Sequence, residues 1–391
     1  MKVIMVHNTH LFPGGEDRSF ALESDLLRKH NHQVIPYERN NKIIAHTPLW
    51  KIGLRSLWSQ EDYDAVLKLI RKCRPDILHA QNTFPLISPS IYYAAQRENV
   101  PVVMSLRNYR LYCLNAYFFR DGKACELCVD QLIPLSGIKH RCYQNSLPGS
   151  LVTASMLTFH RLLKVYERQV NTFIVLTEFA REKFISYGIP ARKLRLKPNF
   201  LDDDVPLNSC RENFALFSGR LSAEKGIEVL LQAWKDIGQK LPLKIAGSGP
   251  LEPMVRQLAD IQDGIEYIGQ KTNDQILSLL RRASVLVFPS LWYEGMPRII
   301  IEAFATGTPV VGSNLGAMST LIEHGKTGIH FRAGDAQDLV RAVSWVRDHP
   351  DNWDVMHRST RLEFEEKYSS DINYDLLIDI YKQTINEYSG L

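Results

Sequence analysis

Short apolar runs, each about the length of one strand, recur along the chain and alternate with longer amphipathic segments. Continuous apolar runs of about 4–8 residues are typical of strands buried on both faces, and the amphipathic segments between them are typical of helices. In the first half the runs lie at Lys2–Val6, His32–Pro36, Asp76–Ala80, Pro101–Leu106 and Phe173–Leu176. In the second half they lie at Phe214–Ser218, Leu243–Ala246, Glu266–Ile268, Val285–Phe288, Pro309–Gly312 and Ile329–Phe331. This alternation predicts βα units and therefore an α/β fold with parallel sheets.

The length of 391 residues suits two domains rather than one. An acidic segment with a proline, residues 201–209, interrupts the alternation and has the composition of a linker. We therefore predict a first domain over residues 1–200 and a second over 201–370, each doubly wound. Two amphipathic helices are expected near the end, at about 351–366 and 371–388. We expect the C-terminal helix, residues 371–391, to pack back on the first domain.

Composition is that of an ordinary globular protein, with 45% hydrophobic and 23% charged residues. The apolar run at the amino terminus is too short for a signal peptide, and no stretch reaches the roughly 18 apolar residues of a membrane span. These observations predict a cytoplasmic protein, with at most peripheral contact at the inner face of a membrane.

Charge is distributed unevenly, because residues 1–200 hold 28 Lys+Arg against 16 Asp+Glu, whereas the remainder holds 19 against 27. The first half could face an anionic partner such as lipid headgroups or a lipid-linked phosphate, or it could simply have a mildly basic surface. A basic amphipathic helix predicted from Ser150 to Asn171 poses the same alternatives, a membrane contact or an ordinary core-facing helix. The basic residues are scattered and no nucleic-acid-binding motif is present, so we expect no nucleic-acid partner.

Four of the six cysteines, Cys113, Cys125, Cys128 and Cys142, fall in a segment without regular periodicity. Two residues between Cys125 and Cys128 fit one tight turn around an ion, so a structural zinc site is one hypothesis. Free thiols or transient redox pairing are the alternatives, and a structural disulfide is not expected in a cytoplasmic chain.

The segment with the most chemical information follows the apolar run that ends at Pro289. Glu294 lies in the loop, Gly295-Met296-Pro297 follows, and an apolar helix then carries Glu302. Proline is tolerated in the first turn of a helix, and the free N–H groups of that turn favour an anion. Two carboxylates beside such a helix start predict a site for a ligand that carries both hydroxyls and negative charge.

Further loops at strand ends carry compatible residues. Gly14-Gly15 opens a helix after the first strand, and Gly219 to Gly226 places Arg220 and Lys225 around a helix start. An arginine fork and a lysine point charge together suit a diphosphate, although a solvated pair at an ordinary turn is equally compatible with the sequence. Other polar residues follow first-domain strands, namely His79, Arg107, Asn108 and Arg110. Ligands of parallel sheets bind beyond these carboxyl ends.

Together these segments resemble glycosyltransferase family 4 enzymes of the GT-B type. The resemblance rests on Gly219-Arg-Leu-Ser-Ala-Glu-Lys-Gly226, on Gly247-Ser-Gly-Pro250, and on Glu294 and Glu302 in an E-x7-E spacing; the segment from Gly316 to Gly328 adds to it. It implies two Rossmann-like domains facing each other across a cleft, a nucleotide-sugar donor, and transfer with retention that requires no metal or other cofactor. The acceptor would be a glycan or a lipid-linked molecule.

Residue by residue, the resemblance implies that Arg220 and Lys225 hold the diphosphate and stabilise the departing nucleotide, that Glu302 binds the ribose, and that Glu294 faces the transferred sugar. The remaining implied donor contacts are Gly15, Gly219, Gly295, Met296 and Pro297.

Three positions depart from the family pattern. Arg107 stands where a histidine is common, and is expected to contact phosphate or acceptor instead. The linker sequence Pro198-Asn-Phe-Leu-Asp202 is unusual, and Arg298 occupies a position that is more often apolar. Two other functions remain open, a nucleotide-sugar epimerase of the same fold and a sugar-nucleotide-binding protein that has lost turnover.

Overall fold

The computed structural model describes residues 1–11, 14–201, 205–207 and 211–390, and the chain divides into two compact units. Unit 1 comprises Met1–Phe118, Glu126–Lys197 and Tyr374–Leu391, and unit 2 comprises Phe119–Cys125 and Pro198–Asn373. Most of the acidic linker expected at 201–209, including Asp202, lies outside the described residues.

Unit 1 is built on a six-stranded sheet in which every neighbouring pair is parallel. Its strands are β1 (Lys2–Thr9), β2 (Gln33–Asn40), β3 (Ile77–Asn82), β4 (Val102–Leu106), β7 (Thr172–Val175) and β8 (Leu194–Leu196). They lie in the order β2-β1-β3-β4-β7-β8. Residues 3–6 of β1 and 77–80 of β3 are fully buried, whereas β2 at the edge is partly exposed along its length. Burial on both faces is typical of the central strands of a parallel sheet that helices cover on both sides.

Unit 2 contains a second parallel sheet, in the order β11-β10-β9-β12-β13-β14. Its strands are β9 (Glu212–Ser218), β10 (Leu243–Ala246), β11 (Ile265–Gly269), β12 (Ala283–Phe288), β13 (Val310–Ser313) and β14 (Gly328–Phe331). A two-stranded antiparallel hairpin, β5 (Phe119–Arg120) with β6 (Lys123–Ala124), groups with this unit. The prediction of two Rossmann-like parallel sheets is confirmed.

The helices follow the strands as crossovers. Those of unit 1 are α1 (Gly15–Lys29), α2 (Leu49–Leu57), α3 (Gln60–Cys73), α4 (Ser90–Arg97), α5 (Leu135–Lys139), α6 (Leu147–Leu162), α7 (Val165–Gln169) and α8 (Glu178–Ser186). Those of unit 2 are α9 (Ile227–Ile237), α10 (Glu252–Ile261), α11 (Asn273–Arg282), α12 (Arg298–Ala305), α13 (Met318–Leu321), α14 (Ala336–Asp348) and α15 (Pro350–Lys367). The last helix, α16 (Ser370–Ser389), joins unit 1 from Tyr374 onward.

The single helix predicted from Ser150 to Asn171 is wrong. The chain instead forms α6 and α7, separated by Lys164, which adopts a left-handed conformation with φ of 50°. A left-handed residue cannot continue a right-handed helix. No glycine or proline marks the break in the sequence, and the hydrophobic pattern continues across it.

The core of unit 1 includes the end of the chain. Leu377 and Tyr381 of α16 are fully buried and pack in one cluster with Val3 and Met5 of β1. The Tyr381 hydroxyl also lies 2.7 Å from Nδ1 of His79 on β3. A helix from the last residues of the sequence therefore completes the core of the first sheet.

No helix among the described residues is long and apolar enough to cross a membrane.

Candidate active site

The sheet of unit 2 reverses its order of connection between β9 and β12, which are direct neighbours. In such sheets the loops that leave these two strands diverge to opposite faces, and their carboxyl ends border a ligand crevice. The loop after β9 carries Arg220 and Lys225, and the loop after β12 carries Glu294. Topology therefore brings together residues about 70 positions apart in sequence.

Glu294 is the centre of this arrangement. One of its carboxylate oxygens, Oε1, accepts hydrogen bonds from Lys225 Nζ at 2.6 Å, from Trp292 Nε1 at 2.7 Å and from the Ser290 hydroxyl at 2.8 Å. The residue is only 5% exposed. A carboxylate held by three donors has a fixed orientation, because moving it would leave buried polar groups without partners.

Lys225 lies between this carboxylate and two aromatic rings. Its Nζ is 5.5 Å from the ring centre of Phe288 and 5.4 Å from that of Trp292, within the range of cation–π attraction. An ammonium group has three N–H donors. After the bond to Glu294, donors remain that can bind the oxygens of an anionic ligand.

The glycines of these loops have a structural role. Gly226 has φ of 72°, and a Cβ placed on it would lie 1.9 Å from the carbonyl oxygen of Pro289. A Cβ on Gly247, where φ is 141°, would lie 1.9 Å from the carbonyl oxygen of Gly219. Close packing between neighbouring loops therefore explains these glycines without any ligand.

Backbone hydrogen bonds also join the loops. Leu291 N–H donates to the carbonyl of Glu224 at 2.8 Å, and Leu221 N–H donates to that of Ser248 at 2.9 Å. The segments after β9, β10 and β12 thus form one connected layer. Rigid support of this kind keeps functional side chains in place.

The other predicted residues of unit 2 lie in the same loops or in α12. Arg220 is exposed, Gly219 and Gly295 are partly exposed, and Glu302 is buried within α12 at 5% exposure. Pro297 directly precedes α12, at the N-cap position and without a side-chain hydrogen bond to the helix, rather than occupying its first turn. The carbonyl oxygen and sulfur of Met296 accept hydrogen bonds from Asn199, so these two atoms of Met296 are already engaged within the protein.

Ser290 and Trp292 are site residues that the sequence reasoning did not assign. They lie four and two positions before Glu294. Their presence in the loop was visible, but only the folded loop directs both donors to a single oxygen. The sequence itself showed only that a serine and a tryptophan precede an acidic residue in the same short loop.

Gly15 belongs to unit 1, where it is the exposed first residue of α1. Asp17, in the first turn of α1, accepts hydrogen bonds at its carboxylate from the N–H of Gly14 at 2.8 Å and of His10 at 3.0 Å. Burial opposes ionisation of Asp17, but these bonds and one from His7 outweigh it and lower its pKa to about 2. Asp17 is therefore ionised at neutral pH and holds the backbone N–H groups of Gly14 and His10.

A pocket with both polar and apolar walls opens at the carboxyl ends of β1, β3 and β4. Its polar lining residues include His10, Asn82, Arg107, Asn108 and Arg110. His10 Nε2 lies 3.1 Å from a carboxylate oxygen of Glu16, and Asn108 donates to the other oxygen at 2.9 Å. The bond to Glu16 raises the pKa of His10, against the effect of burial. The sequence reasoning named neither His10 nor Glu16 as site residues.

Arg107 borders this pocket, but its side chain is buried and bonds to residues of the protein interior. It is 7% exposed, and its guanidinium donates to Glu23 at 2.8 Å and to Gln81 at 2.6 Å. Lys197, fully buried, donates to the same Glu23 oxygen at 2.9 Å. Burial opposes ionisation of Glu23, but the two cations outweigh it and hold its pKa at about 2. This ion-paired group supports the sheet; a contact of Arg107 with a ligand stays a prediction.

In the described ranges of the chain, no group of three or more His, Cys, Asp or Glu residues is arranged to hold a metal ion. Cys113, Cys125, Cys128 and Cys142 are not in disulfides, and the Cys113 thiol lies 2.9 Å from the side-chain oxygen of Asn115. Structural zinc at these cysteines stays a prediction, which metal analysis of the purified protein would test.

Family models match both halves of the chain. Residues 7–205 match the model described as Glycosyltransferase Family 4, and residues 202–361 match that described as Glycosyl transferases group 1. An uncharacterized glycosyltransferase of Haemophilus influenzae is 31% identical over 300 residues, which cover 74% of this chain and 81% of that protein. The alpha-D-kanosaminyltransferase of Streptomyces kanamyceticus is 27% identical over a match that covers 53% of each chain.

Solved structures of similar fold cover nearly the whole chain. HepE of Anabaena, in complex with UDP, has a TM-score of 0.69 at 15% identity, covering 98% of this chain and all of that one. The sucrose-phosphate synthase of Thermosynechococcus elongatus has a TM-score of 0.71 at 15% identity, covering 99% of both chains. At this level of identity the likeness establishes the fold.

Proposed function

The chain is a member of glycosyltransferase family 4 with the GT-B fold, and from that premise we propose that it transfers a sugar, with retention, from a nucleoside-diphosphate sugar to a glycan or lipid-linked acceptor. In this reaction the bond between the anomeric carbon and the phosphate oxygen breaks. An acceptor oxygen bonds to the same face of the sugar. The acceptor's proton passes to the departing diphosphate, so that charge and atoms balance.

The observation that carries the proposal is the Lys225–Glu294 pair, which lies beyond β9 and β12, where the strand order of the unit 2 sheet reverses. Lys225 and the exposed Arg220 would bind the diphosphate and stabilise the negative charge that develops on it. Such electrostatic stabilisation is usually the largest contribution to catalysis. Glu294, fixed by its three donors, would bind the transferred sugar.

The remaining donor contacts are proposed on the same basis. Glu302, in the first turns of α12, would accept hydrogen bonds from the ribose hydroxyls. The N–H groups of Gly295, Met296 and the start of α12 would bind sugar or phosphate oxygens. Gly219 would allow close approach of the nucleotide, and Gly15 of unit 1 would contact the diphosphate.

The pocket of unit 1 lined by His10 and Arg110 is proposed as the acceptor side. Arg110 places positive charge beside it, and the bond to Glu16 raises the pKa of His10, which favours its charged form; both suit an acceptor with an anionic group such as a lipid-linked phosphate. A role in surface polysaccharide or glycolipid synthesis at the membrane follows from such an acceptor. Among the relatives, a glycosyltransferase of amylovoran biosynthesis in Erwinia amylovora is 25% identical over 55% of this chain.

The experiment is to incubate the purified full chain with a panel of nucleoside-diphosphate sugars and to measure binding, release of nucleoside diphosphate and the configuration of the sugar. UDP-glucose is a sensible first donor, because it is bound in a HepE structure. Release that depends on an added acceptor supports transfer. An epimerised sugar would instead identify an epimerase, and binding without turnover would identify a binding protein. Unchanged donor binding in Arg220→Ala, Lys225→Ala and Glu302→Ala would refute the donor site.

A further inference from the structure

Helix α6 exposes an apolar stripe to solvent. Leu147, Leu151, Phe159 and Leu162 are all exposed, whereas Met156 on the opposite side is buried in the core. At about 100° per residue these four side chains fall on one side of the helix. The helix is thus apolar on both sides, and only one of them is covered by the protein.

Helix α2 packs along one flank of α6 and extends the apolar surface. The Cβ position of Gly53 is 3.0 Å from Val152 Cγ1, so the two helices are in close contact there. On α2 the exposed side chains next to this contact include Trp50, at 62% exposure, and Leu54, at 59%.

The segment that leads into α5 lies along the other flank. The Thr158 hydroxyl lies 3.4 Å from the carbonyl of Leu132, and Arg161 donates to the carbonyl of Gln131 at 2.6 Å. This segment also exposes large apolar side chains. We call the combined surface the α2–α6 face; its apolar members are Leu49, Trp50, Leu54, Leu132, Ile133, Leu135, Leu147, Leu151, Phe159, Leu162 and Leu163.

The two segments that form this face contain only basic charges, and the nearest acids, Glu61, Asp130 and Glu167, lie just outside them. Residues 40–60 contain three Lys+Arg and residues 131–166 contain four, and neither segment contains an Asp or Glu, although the chain has 43 acidic residues. Lys51, Lys139, Arg141 and Lys164 are exposed. Of the cations, Arg55 pairs with Glu61, and Lys164 lies 4.0 Å from Glu167, whereas Lys51, Lys139 and Arg141 make no ion pair among the described residues. Scattered exposed leucines are normal in a globular protein, but a group of them with a net basic border indicates a binding surface.

We propose that the α2–α6 face docks on an anionic lipid membrane, with its apolar side chains inserted among the acyl-chain ends and its lysines and arginines at the headgroups. Apolar area and basic charge together are what interfacial binding requires, because each contributes to a separate part of the membrane surface. A protein partner of ordinary composition carries charges of both signs and would not favour so basic a surface. Docking of this kind would bring the enzyme to a lipid-linked acceptor, so the inference rests on the proposed function.

The test is co-sedimentation of the full chain with vesicles of phosphatidylcholine containing phosphatidylglycerol, compared with vesicles of phosphatidylcholine alone. We expect binding to the anionic vesicles that weakens as salt is raised, since salt screens the headgroup charge. The triple variant Leu151→Ser, Phe159→Ser, Leu162→Ser should reduce binding about tenfold or more. A matched control is Ile261→Ser, Val355→Ser, Leu362→Ser, which changes three exposed apolar residues of unit 2 and should bind as the wild type does.

A second pair of variants separates charge from apolar contact. Lys139→Gln, Arg141→Gln, Lys164→Gln should lower binding to anionic vesicles. Lys29→Gln, Lys68→Gln, Lys72→Gln removes three exposed lysines elsewhere in unit 1 and should bind like wild type. Thermal unfolding of each variant shows that the fold is kept.

The proposal would be overturned if the wild-type chain failed to bind anionic vesicles. It would also be overturned if the α6 serine variant bound as well as the unit 2 control variant. If the chain instead forms a concentration-dependent dimer that only the α6 variant abolishes, the face is an interface between copies. Donor turnover on a soluble acceptor is measured separately with the same variants. Loss of vesicle binding with normal turnover, and normal vesicle binding without turnover, therefore distinguish failure of this inference from failure of the proposed function.

Discussion

At the scale of single residues, the two buried carboxylates Glu294 and Glu23 are satisfied in different ways. Glu294 accepts three donors on one oxygen but pairs with a single cation, which retains free donor capacity beside an exposed loop. Glu23 is enclosed by two cations and is 1% exposed. The first arrangement leaves a cation with donors for a ligand, whereas the second mainly supports the fold.

We predict that Lys225 and Glu294 act as a unit. Lys225→Ala and Glu294→Ala should each lower turnover by about 100-fold or more, and the double variant should be little worse than either, because each side chain positions the other. The check is a double-mutant cycle on turnover with nucleoside-diphosphate affinity measured by calorimetry. Glu302→Ala serves as the contrast, since it should mainly weaken nucleotide binding. Additive losses for the pair would contradict the prediction.

A second prediction concerns Glu23→Gln. Removing the carboxylate leaves Arg107 and Lys197 buried without their counter-ion, so the free energy of unfolding at pH 7 should fall by about 3–5 kcal/mol. The folded pKa of Glu23, about 2, is below the ordinary value of 4.5. Its stabilisation in the wild type is therefore complete above about pH 4.5 and is lost as the pH falls towards 2.

Denaturant unfolding between pH 7 and pH 2 tests this prediction. The Gln variant should be less stable at neutral pH but should lose less on acidification than the wild type does. Asp25→Asn is the control, because Asp25 is in a surface pair with Arg28 and its side chain is 72% exposed; it should cost less than about 0.5 kcal/mol. A Gln variant with the wild-type pH profile would show that the ion pairs do not matter for stability.

At the scale of elements, the site depends on loops that pack on one another. The loop after β9 contacts those after β10 and β12 through backbone atoms, at Gly247 and Gly226 respectively. From the sequence, Gly226 and Gly247 were known only as members of the segments that carry the family resemblance. The structure adds a different requirement, since a side chain at either position would collide with the neighbouring loop's backbone.

We therefore predict that Gly226→Ala destabilises unit 2 more than Gly269→Ala does. Both glycines have φ of 72°, but a Cβ at Gly269 meets nothing within 4 Å. Gly269→Ala should cost only the left-handed strain, about 1–2 kcal/mol, whereas Gly226→Ala must also move the Pro289 carbonyl. Comparison of unfolding curves, with nucleotide affinity for each variant, provides the measurement. Equal costs would show that the loops yield easily.

At the scale of the whole molecule, unit 1 is built from both ends of the chain, so residues distant in sequence belong to the same unit. The chain leaves unit 1 after Lys197, forms unit 2, and returns at Tyr374 to complete the first core. Unit 1 therefore cannot bury its central strands until the last helix has been made. The amphipathic pattern of that helix predicted a buried face, and the cluster around Tyr381 shows where it is buried.

We predict that Leu377→Ala lowers the stability of unit 1 by about 2–5 kcal/mol, because Leu377 is fully buried against the sheet. Hydrogen exchange should increase in β1 and β3, which lie more than 290 residues earlier in the sequence. Leu362→Ala on α15 is the control, since Leu362 is 55% exposed and should have little effect. Unchanged exchange in β1 would contradict the assignment of α16 to this core.

The sequence by itself determined the alternation of strands and helices, the two parallel sheets and the loops that carry the candidate donor site. It did so because periodicity and turn chemistry are local properties. It did not determine where α6 ends, because Lys164 adopts a left-handed conformation without glycine or proline, nor that Arg107 is paired with Glu23 and Lys197. Only tertiary structure decided these points and the convergence of Lys225, Ser290 and Trp292 on one oxygen of Glu294, since each depends on residues that folding brings together from separate elements.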